Sequence, residues 1–206
     1  MNEPFVADDP ERFTAAMSRF DEENSRDPNL QPANGAMIPR ELLYAQWLSA
    51  WVLKLKPDAS EPLRLAARGA HLCRWMIPRD AYPATRAGYL RWRQQLKQFH
   101  AEKVGAILRE LGYPDAIIIR VQGLISKSAF PTEPESRVLE DALCLVFLQH
   151  QFADLAAKSP PDKMINAVQK TWKKMTPAAQ EIARGLSYEP RELSLLQSAL
   201  STTTAG

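Results

Sequence analysis

The sequence predicts an all-α protein, folded as a compact single-domain helical bundle. Apolar residues recur at helical spacing through most of the chain, and no segment alternates convincingly between apolar and polar residues. The 16 prolines agree with this prediction, because they fall at helix starts, where proline sacrifices no backbone hydrogen bond. With 206 residues, the chain is long enough for one domain with a substantial core.

Capping residues and apolar spacing together set the order of the helices. Several starts pair a cap with proline: Asp9-Pro10, Ser60-Glu61-Pro62, Ser159-Pro160-Pro161, Thr176-Pro177 and Glu189-Pro190. The predicted helices cover 9–24, 39–56, 60–75, 83–111, 114–126, 134–157, 160–175, 177–186 and 190–200. The β-branched stretch 117–119 is assigned to a helix because its neighbours keep helical spacing. Loops are predicted at 25–37, 76–83 and 127–133, and a mobile tail at 201–206. The domain is predicted to span 1–200.

Composition excludes several classes of protein. The formal net charge of +2 does not call for a nucleic acid or an anionic membrane as partner. The acidic start lacks the pattern of a cleavable signal, and no apolar run reaches the roughly 18 residues of a membrane span. Cys73 and Cys144, the two cysteines, lie in apolar helical patterns and are expected to be reduced and buried. We therefore expect a cytoplasmic protein.

Two of the three histidines fall in the middle of apolar patterns and are the strongest functional lead. His71 follows the apolar stripe of Leu63 and Ala67, and His100 shares a stripe with Leu96. Asp141 opens a third, very apolar segment. Buried imidazoles and carboxylates are costly unless they pair or bind something. Together His71, His100 and Asp141 suit a divalent metal such as Mn, Fe, Ni or Zn.

Cationic and aromatic residues near the histidines predict a phosphate or nucleotide site. Arginine suits bidentate contact with phosphate, and aromatic rings beside guanidinium groups suit a nucleotide base. The expected ligand-binding residues are Arg74, Arg79, Arg86, Tyr89, Trp92, Arg93 and Lys97. Lys103 is a further anion holder, and Glu140 and Glu102 are candidate bases. In this prediction the partner is a small phosphorylated molecule or nucleotide.

Structural interpretations of the same residues stay open. A histidine on an apolar face is often a core residue that donates to a carbonyl. Asp141 could pair with Arg137 or cap its helix, and Glu102 could pair on a solvated face. The Arg/Trp segment 82–93 could be a surface helix with a packed Trp92 and solvated arginines. His150 is expected at the surface or rim.

The order of these pieces resembles the HD-domain superfamily of metal-dependent phosphohydrolases, which is all-helical. The segment 65–72 looks like the helix of its His-Asp pair, with Leu72 where the Asp is expected. His100 looks like the intermediate histidine and Asp141 like the terminal aspartate, whereas Tyr44 or Ala45 stands where the first histidine is expected. The resemblance covers residues 38–150 and implies an HD-like core at about 38–157 with metal-dependent hydrolysis.

Over most of its length the chain also resembles an uncharacterised family known as a domain of unknown function. Segments that carry this resemblance include 39–45, 66–75, 77–79, 82–93, 99–103, 139–141 and 171–175. The likeness implies a shared fold and site but no activity.

Three functions follow from these observations. The first is a divergent HD-like phosphohydrolase that acts on a small phosphorylated or nucleotide substrate. The second is a non-catalytic HD-like binding module for a nucleotide or a protein, which the departures at Leu72 and Tyr44 favour. The third is an RNA-binding protein, which the near-neutral charge disfavours.

Overall fold

The computed structural model describes residues 5–33 and 35–201, and these residues are mostly α-helical, which confirms the all-α class. The first elements are helix α1 (Pro10–Ser25), strands β1 (Leu30–Ala33) and β2 (Ala36–Pro39), and helices α2 (Arg40–Leu55), α3 (Glu61–Gly69), α4 (Arg86–Glu110) and α5 (Asp115–Ser126). Helices α6 (Pro134–Val146), α7 (Phe152–Lys158), α8 (Pro161–Trp172), α9 (Pro177–Arg184) and α10 (Pro190–Ser201) follow. The rest of the predicted tail, 202–206, lies outside the described residues.

Several predicted helix starts have the expected caps. The side chains of Asp9, Ser60 and Thr176 accept hydrogen bonds from backbone N–H groups in the first turns of α1, α3 and α9. In each case proline occupies the first or second helical position. The β-branched stretch 117–119 is helical within α5, as its apolar spacing predicted.

The predicted loop at 25–37 instead contains a β-hairpin. Strands β1 and β2 pair antiparallel, with Leu30 opposite Pro39 and Ala33 opposite Ala36. Gly35, with φ +77°, supplies the left-handed backbone that the connection needs. Because each strand has four residues, the alternation of apolar and polar positions is too short to be visible in the sequence.

Two predicted helices are interrupted. The helix expected at 60–75 ends as α3 at Gly69, and a 3₁₀ turn follows at Arg74–Met76. The helix expected at 134–157 is broken into α6 and α7 by a π-helical segment, Phe147–Gln151. Both interruptions lie within continuous apolar patterns, so periodicity alone carried the predictions through them.

Contacts within the chain group into two compact units, Met1–Ser136 and Arg137–Gly206. In the first, α4 and α3 pack on α5, and α1 and α3 pack on α2. Its core includes the fully buried Leu48, Leu63 and Leu108. In the second, α10 packs on α7 and α8 around Phe152 and Val168. The single domain expected at 1–200 stays a prediction.

Candidate functional site

His71 stands in a turn just beyond α3. The helix ends at Gly69, and the next N–H groups bond in short turns, from Leu72 to the carbonyl of Gly69 and from Arg74 to that of His71. Cys73 has φ 54°, a left-handed conformation that is uncommon for a side-chain-bearing residue. Its N–H donates to the side-chain oxygen of the buried Asn24, 3.0 Å away, which holds this conformation. The turn takes His71 out of the helix in which the sequence placed it.

His100 lies on α4, buried as predicted, with 3% of its surface exposed. Its Nδ1 is 2.9 Å from the carbonyl oxygen of Leu72 in the His71 turn. Because a carbonyl only accepts, Nδ1 carries the hydrogen and Nε2 keeps the lone pair. Burial, followed by the neighbouring His71, lowers the pKa of His100 to about 3. His100 is therefore a neutral imidazole at physiological pH.

Glu41, which the sequence analysis did not select, forms the acidic part of the site. It lies in the first turn of α2 and is 3% exposed. One carboxylate oxygen is 3.5 Å from Nδ1 of His71, and the other is 3.4 Å from Arg40 and 3.9 Å from Arg74. Burial raises its pKa despite the cations beside it. Because Glu41 shares the inward stripe of Tyr44, Ala45 and Leu48, the helical spacing contained a signal for it.

Asp27 fixes the position of Glu41. The helix-start residue Pro39 has no side-chain cap to offer α2. Instead the buried Asp27 accepts the backbone N–H of Glu41 at 3.0 Å, and its other oxygen accepts from the backbone and side chain of Asn29. A carboxylate in this position accepts a hydrogen bond from an N–H that has no partner within the helix. Its negative charge also interacts favourably with the positive end of the helix dipole.

The ring of Tyr44 stacks on His71, with centroids 4.0 Å apart and planes 11° from parallel. The rings of His71 and His100 are 5.6 Å apart. These side chains, with Glu41 and Arg74, form what we call the imidazole cluster: Glu41, Tyr44, His71, Arg74 and His100. All five lie in the first unit.

The charges of four cations, one of them Arg74 of the cluster itself, act on His71. Burial, and then the charges of Arg74, Arg93, Lys127 and Arg40, hold the pKa of His71 well below its usual value. Both imidazoles are therefore neutral, and Glu41 contributes one negative charge at most. The surroundings of His71 thus carry an excess of positive charge.

The aromatic residues beside the cluster have different roles. Trp92 is buried, donates its Nε1–H to the carbonyl of Ile77 at 2.9 Å, and packs against the guanidinium of Arg74 at 4.8 Å from the ring centroid. The indole face is therefore engaged within the protein. Tyr89, 44% exposed, is tilted against Trp92 at 5.9 Å.

The other predicted binding residues are also distributed. Arg79 donates to the carbonyls of Tyr82 and Pro83, at 2.9 and 3.0 Å, and so holds the loop that precedes α4. Arg86 is exposed in the first turn of α4, and Lys97 is half-buried on the same helix. Arg74 and Arg93 are thus the predicted binding residues whose charge acts on His71.

The predicted bases and Lys103 have other partners. Glu102 is exposed and accepts from Gln98 at 2.8 Å, while Lys103 is 3.2 Å from Glu23. In the second unit, the buried Glu140 is 3.2 Å from Lys174. Asp141, also in the second unit, accepts the N–H of Thr176 at 2.9 Å and its hydroxyl at 2.6 Å, which ties α6 to the start of α9.

Among residues 5–33 and 35–201, no three His, Cys, Asp or Glu side chains are grouped so that they could hold a metal ion. Glu41 already faces two guanidinium groups and an imidazole, and both oxygens of Asp141 serve Thr176. His100 Nε2 keeps a lone pair suited to a metal or to a hydrogen donor. The divalent metal stays a prediction.

Within the described ranges, no helix is both long and apolar enough to cross a membrane. Cys73 and Cys144 are buried thiols that form no disulfide in the described part of the chain, as predicted. No curated protein and no solved structure shows significant similarity to the chain. A family model described as a domain of unknown function, DUF4202, matches residues 14–196. The chain therefore belongs to the DUF4202 family.

Proposed function

We propose that this protein binds a small phosphorylated molecule or nucleotide at the imidazole cluster and hydrolyses its phosphate ester. The excess of positive charge around His71 carries the proposal, because Arg74, Arg93, Lys127 and Arg40 act together on a neutral ring. Such a concentration of cations in a partly buried place is unfavourable on its own and favours an anionic ligand. Arginine adds the planar, paired donors that phosphate oxygens accept.

The pair of Glu41 and His71 supplies the chemistry. Nδ1 of His71 faces the Glu41 carboxylate at 3.5 Å, so that its hydrogen points there and Nε2 is the basic atom. Distances of this kind shorten when substrate binds. In the proposed step, Nε2 takes a proton from water while the water oxygen forms a bond to phosphorus. The ester P–O bond breaks, and the leaving alkoxide receives the proton, giving inorganic phosphate and an alcohol.

The likeness to HD-domain phosphohydrolases is part of this proposal. Tyr44, which stands where the resemblance expects a first histidine, contacts His71 directly. Leu72, which stands for the expected aspartate, contributes its carbonyl oxygen to His100. We propose a divergent member of that superfamily in which a ring contact at Tyr44 and a backbone hydrogen bond at Leu72 stand where two ligands are expected. Metal analysis of untagged protein by plasma mass spectrometry tests whether a divalent ion persists.

Binding of the anion is tested by calorimetric titration of pyrophosphate into the wild type, Arg93→Ala and Arg91→Ala. Arg91 is the matched control because it is exposed on the same helix, whereas the charge of Arg93 acts on His71. We expect Arg93→Ala to weaken binding by about 10-fold or more, and Arg91→Ala to have little effect. Absence of binding to the wild type, or equal losses in both variants, would refute the proposal.

Hydrolysis is tested separately by phosphate release from a panel of nucleoside monophosphates and sugar phosphates. His71→Gln should abolish release while pyrophosphate still binds, because the variant loses the base but keeps the arginines. Turnover unchanged in a folded His71→Gln protein would remove His71 as the base. Pyrophosphate binding without turnover of any panel member would instead support the non-catalytic binding module.

A further inference from the structure

We infer that the ligand of the imidazole cluster carries a hydroxyl group close to its phosphate and that this hydroxyl donates a hydrogen bond to Nε2 of His100. This inference rests on the proposed function and narrows the ligand to polyol or sugar phosphates, including the ribose phosphate of a nucleotide.

The hydrogen bond between His100 and the carbonyl of Leu72 has a fixed direction. The carbonyl of Leu72 lies in a fixed turn, 2.9 Å from Nδ1, and it has no hydrogen to give. Nδ1 therefore donates, and the ring remains neutral because burial opposes its protonation. Nε2 is left as a hydrogen-bond acceptor only.

Nε2 of His100 lacks a hydrogen-bond donor among the described residues. Nε2 of His100 is buried, and no hydrogen-bond donor from the described part of the chain reaches it. Buried polar atoms without a partner are rare in folded proteins, and each calls for an explanation such as a catalytic role or a bound molecule. His100 is itself 3% exposed, so its ring is held in place by the surrounding core.

Nε2 of His100 lies close to the proposed anion site around His71. His71, on which the four cations act, lies 5.6 Å from His100 between ring centroids. A ligand that places its phosphate among those cations therefore brings the adjoining atoms beside His100. A phosphate monoester is largely the dianion at neutral pH and has acceptor oxygens only. The hydrogen for His100 must then come from the organic part of the ligand.

The test compares two ligands that differ in hydroxyl groups, glycerol 3-phosphate and n-propyl phosphate, by calorimetric titration into His71→Gln, which is expected to bind phosphate esters without hydrolysing them. We expect glycerol 3-phosphate to bind about 10-fold more tightly, the usual effect of one buried hydrogen bond whose partner would otherwise be left unpaired. Equal affinities would overturn the inference. This comparison leaves His100 unchanged, so it decides the question even if changes at His100 prevent folding.

Two variants assign the preference to His100. His100→Leu removes the acceptor and should make the two affinities equal, whereas His100→Gln keeps an amide oxygen and should retain part of the difference. A preference that survives in folded His100→Leu would overturn the inference. If pyrophosphate binds but hydroxyl groups make no difference, this inference alone fails. If neither pyrophosphate nor either ester binds, the proposed function fails with it.

Discussion

The phenol ring of Tyr44 and the imidazole of His71 are stacked 4.0 Å apart, so the orientation of the proposed base depends on a residue of α2. Tyr44 is 5% exposed and thus leaves His71 little room on that side. The contact joins the start of α2 to the turn after α3.

Tyr44→Leu should therefore disturb His71 more than it disturbs the fold. Loss of the stacked ring should lower the free energy of unfolding by about 1 kcal/mol. It should also weaken pyrophosphate binding severalfold, whereas Tyr44→Phe, which keeps the ring, should bind normally. Urea denaturation and calorimetry measure the two effects. Normal binding by Tyr44→Leu would show that the stack does not position His71.

His100 should make stability fall in mild acid. Its pKa is about 3 in the folded chain and near 6.5 in the unfolded chain, so the unfolded chain binds more protons between these values. The contribution is complete above pH 6.5 and decreases as the pH falls toward 3. Between about pH 7 and about pH 5 the loss should be about 2 kcal/mol.

Comparison with His100→Leu isolates that contribution from other titrating groups, such as Glu41, whose raised pKa acts in the opposite direction. Because the pKa of Glu41 is raised in the folded chain, the free energy of unfolding decreases as the pH rises from the usual pKa of a glutamate to the raised one. Urea unfolding of both proteins at the two pH values gives the difference. An identical pH dependence in wild type and variant would contradict the assignment of a neutral, buried His100.

Asp141 should behave as a structural residue of the second unit. Asp141→Ala removes two hydrogen bonds to Thr176, the cap residue of α9, and should lower the free energy of unfolding by about 2 kcal/mol. Asp154→Ala, an exposed aspartate of α7, is the control and should change it by less than about 0.5 kcal/mol. Equal, small effects would show that the Thr176 bonds contribute little.

Gly69 should be intolerant of a side chain. A Cβ at this position would lie 2.5 Å from a methyl group of Val104, a stiff, fully buried side chain on α4. Gly69→Ala should thus destabilise the protein by about 1–3 kcal/mol through overpacking. Gly185→Ala, whose nearest neighbour is 3.5 Å away, is the matched control. If thermal unfolding shows the same small shift for both variants, α3 and α4 leave room for a methyl group at position 69, and the prediction is wrong.

The helices and the burial of His100 could be predicted from the sequence because they depend on local caps and on apolar spacing. The turn at His71 could not, since it depends on a hydrogen bond from Cys73 to Asn24, far away in the sequence. Glu41 was accessible through its stripe on α2, but its role became clear only when the turn brought His71 to it. Asp141 shows the converse, because a suggestive position at the head of an apolar helix turned out to hold Thr176.

The bonds that Asp27 makes to Asn29 and Glu41, together with the bond from the N–H of Arg40 to the carbonyl of Asn29, close the chain at the base of the hairpin. Strands β1 and β2 lie between those residues, and β2 also contacts α1 and α2. These bonds hold the start of the helix that carries Glu41 and Tyr44 independently of the connection between the two strands. We therefore expect a tag or reporter domain inserted at Gly35 to leave that helix start, and with it the imidazole cluster, in place.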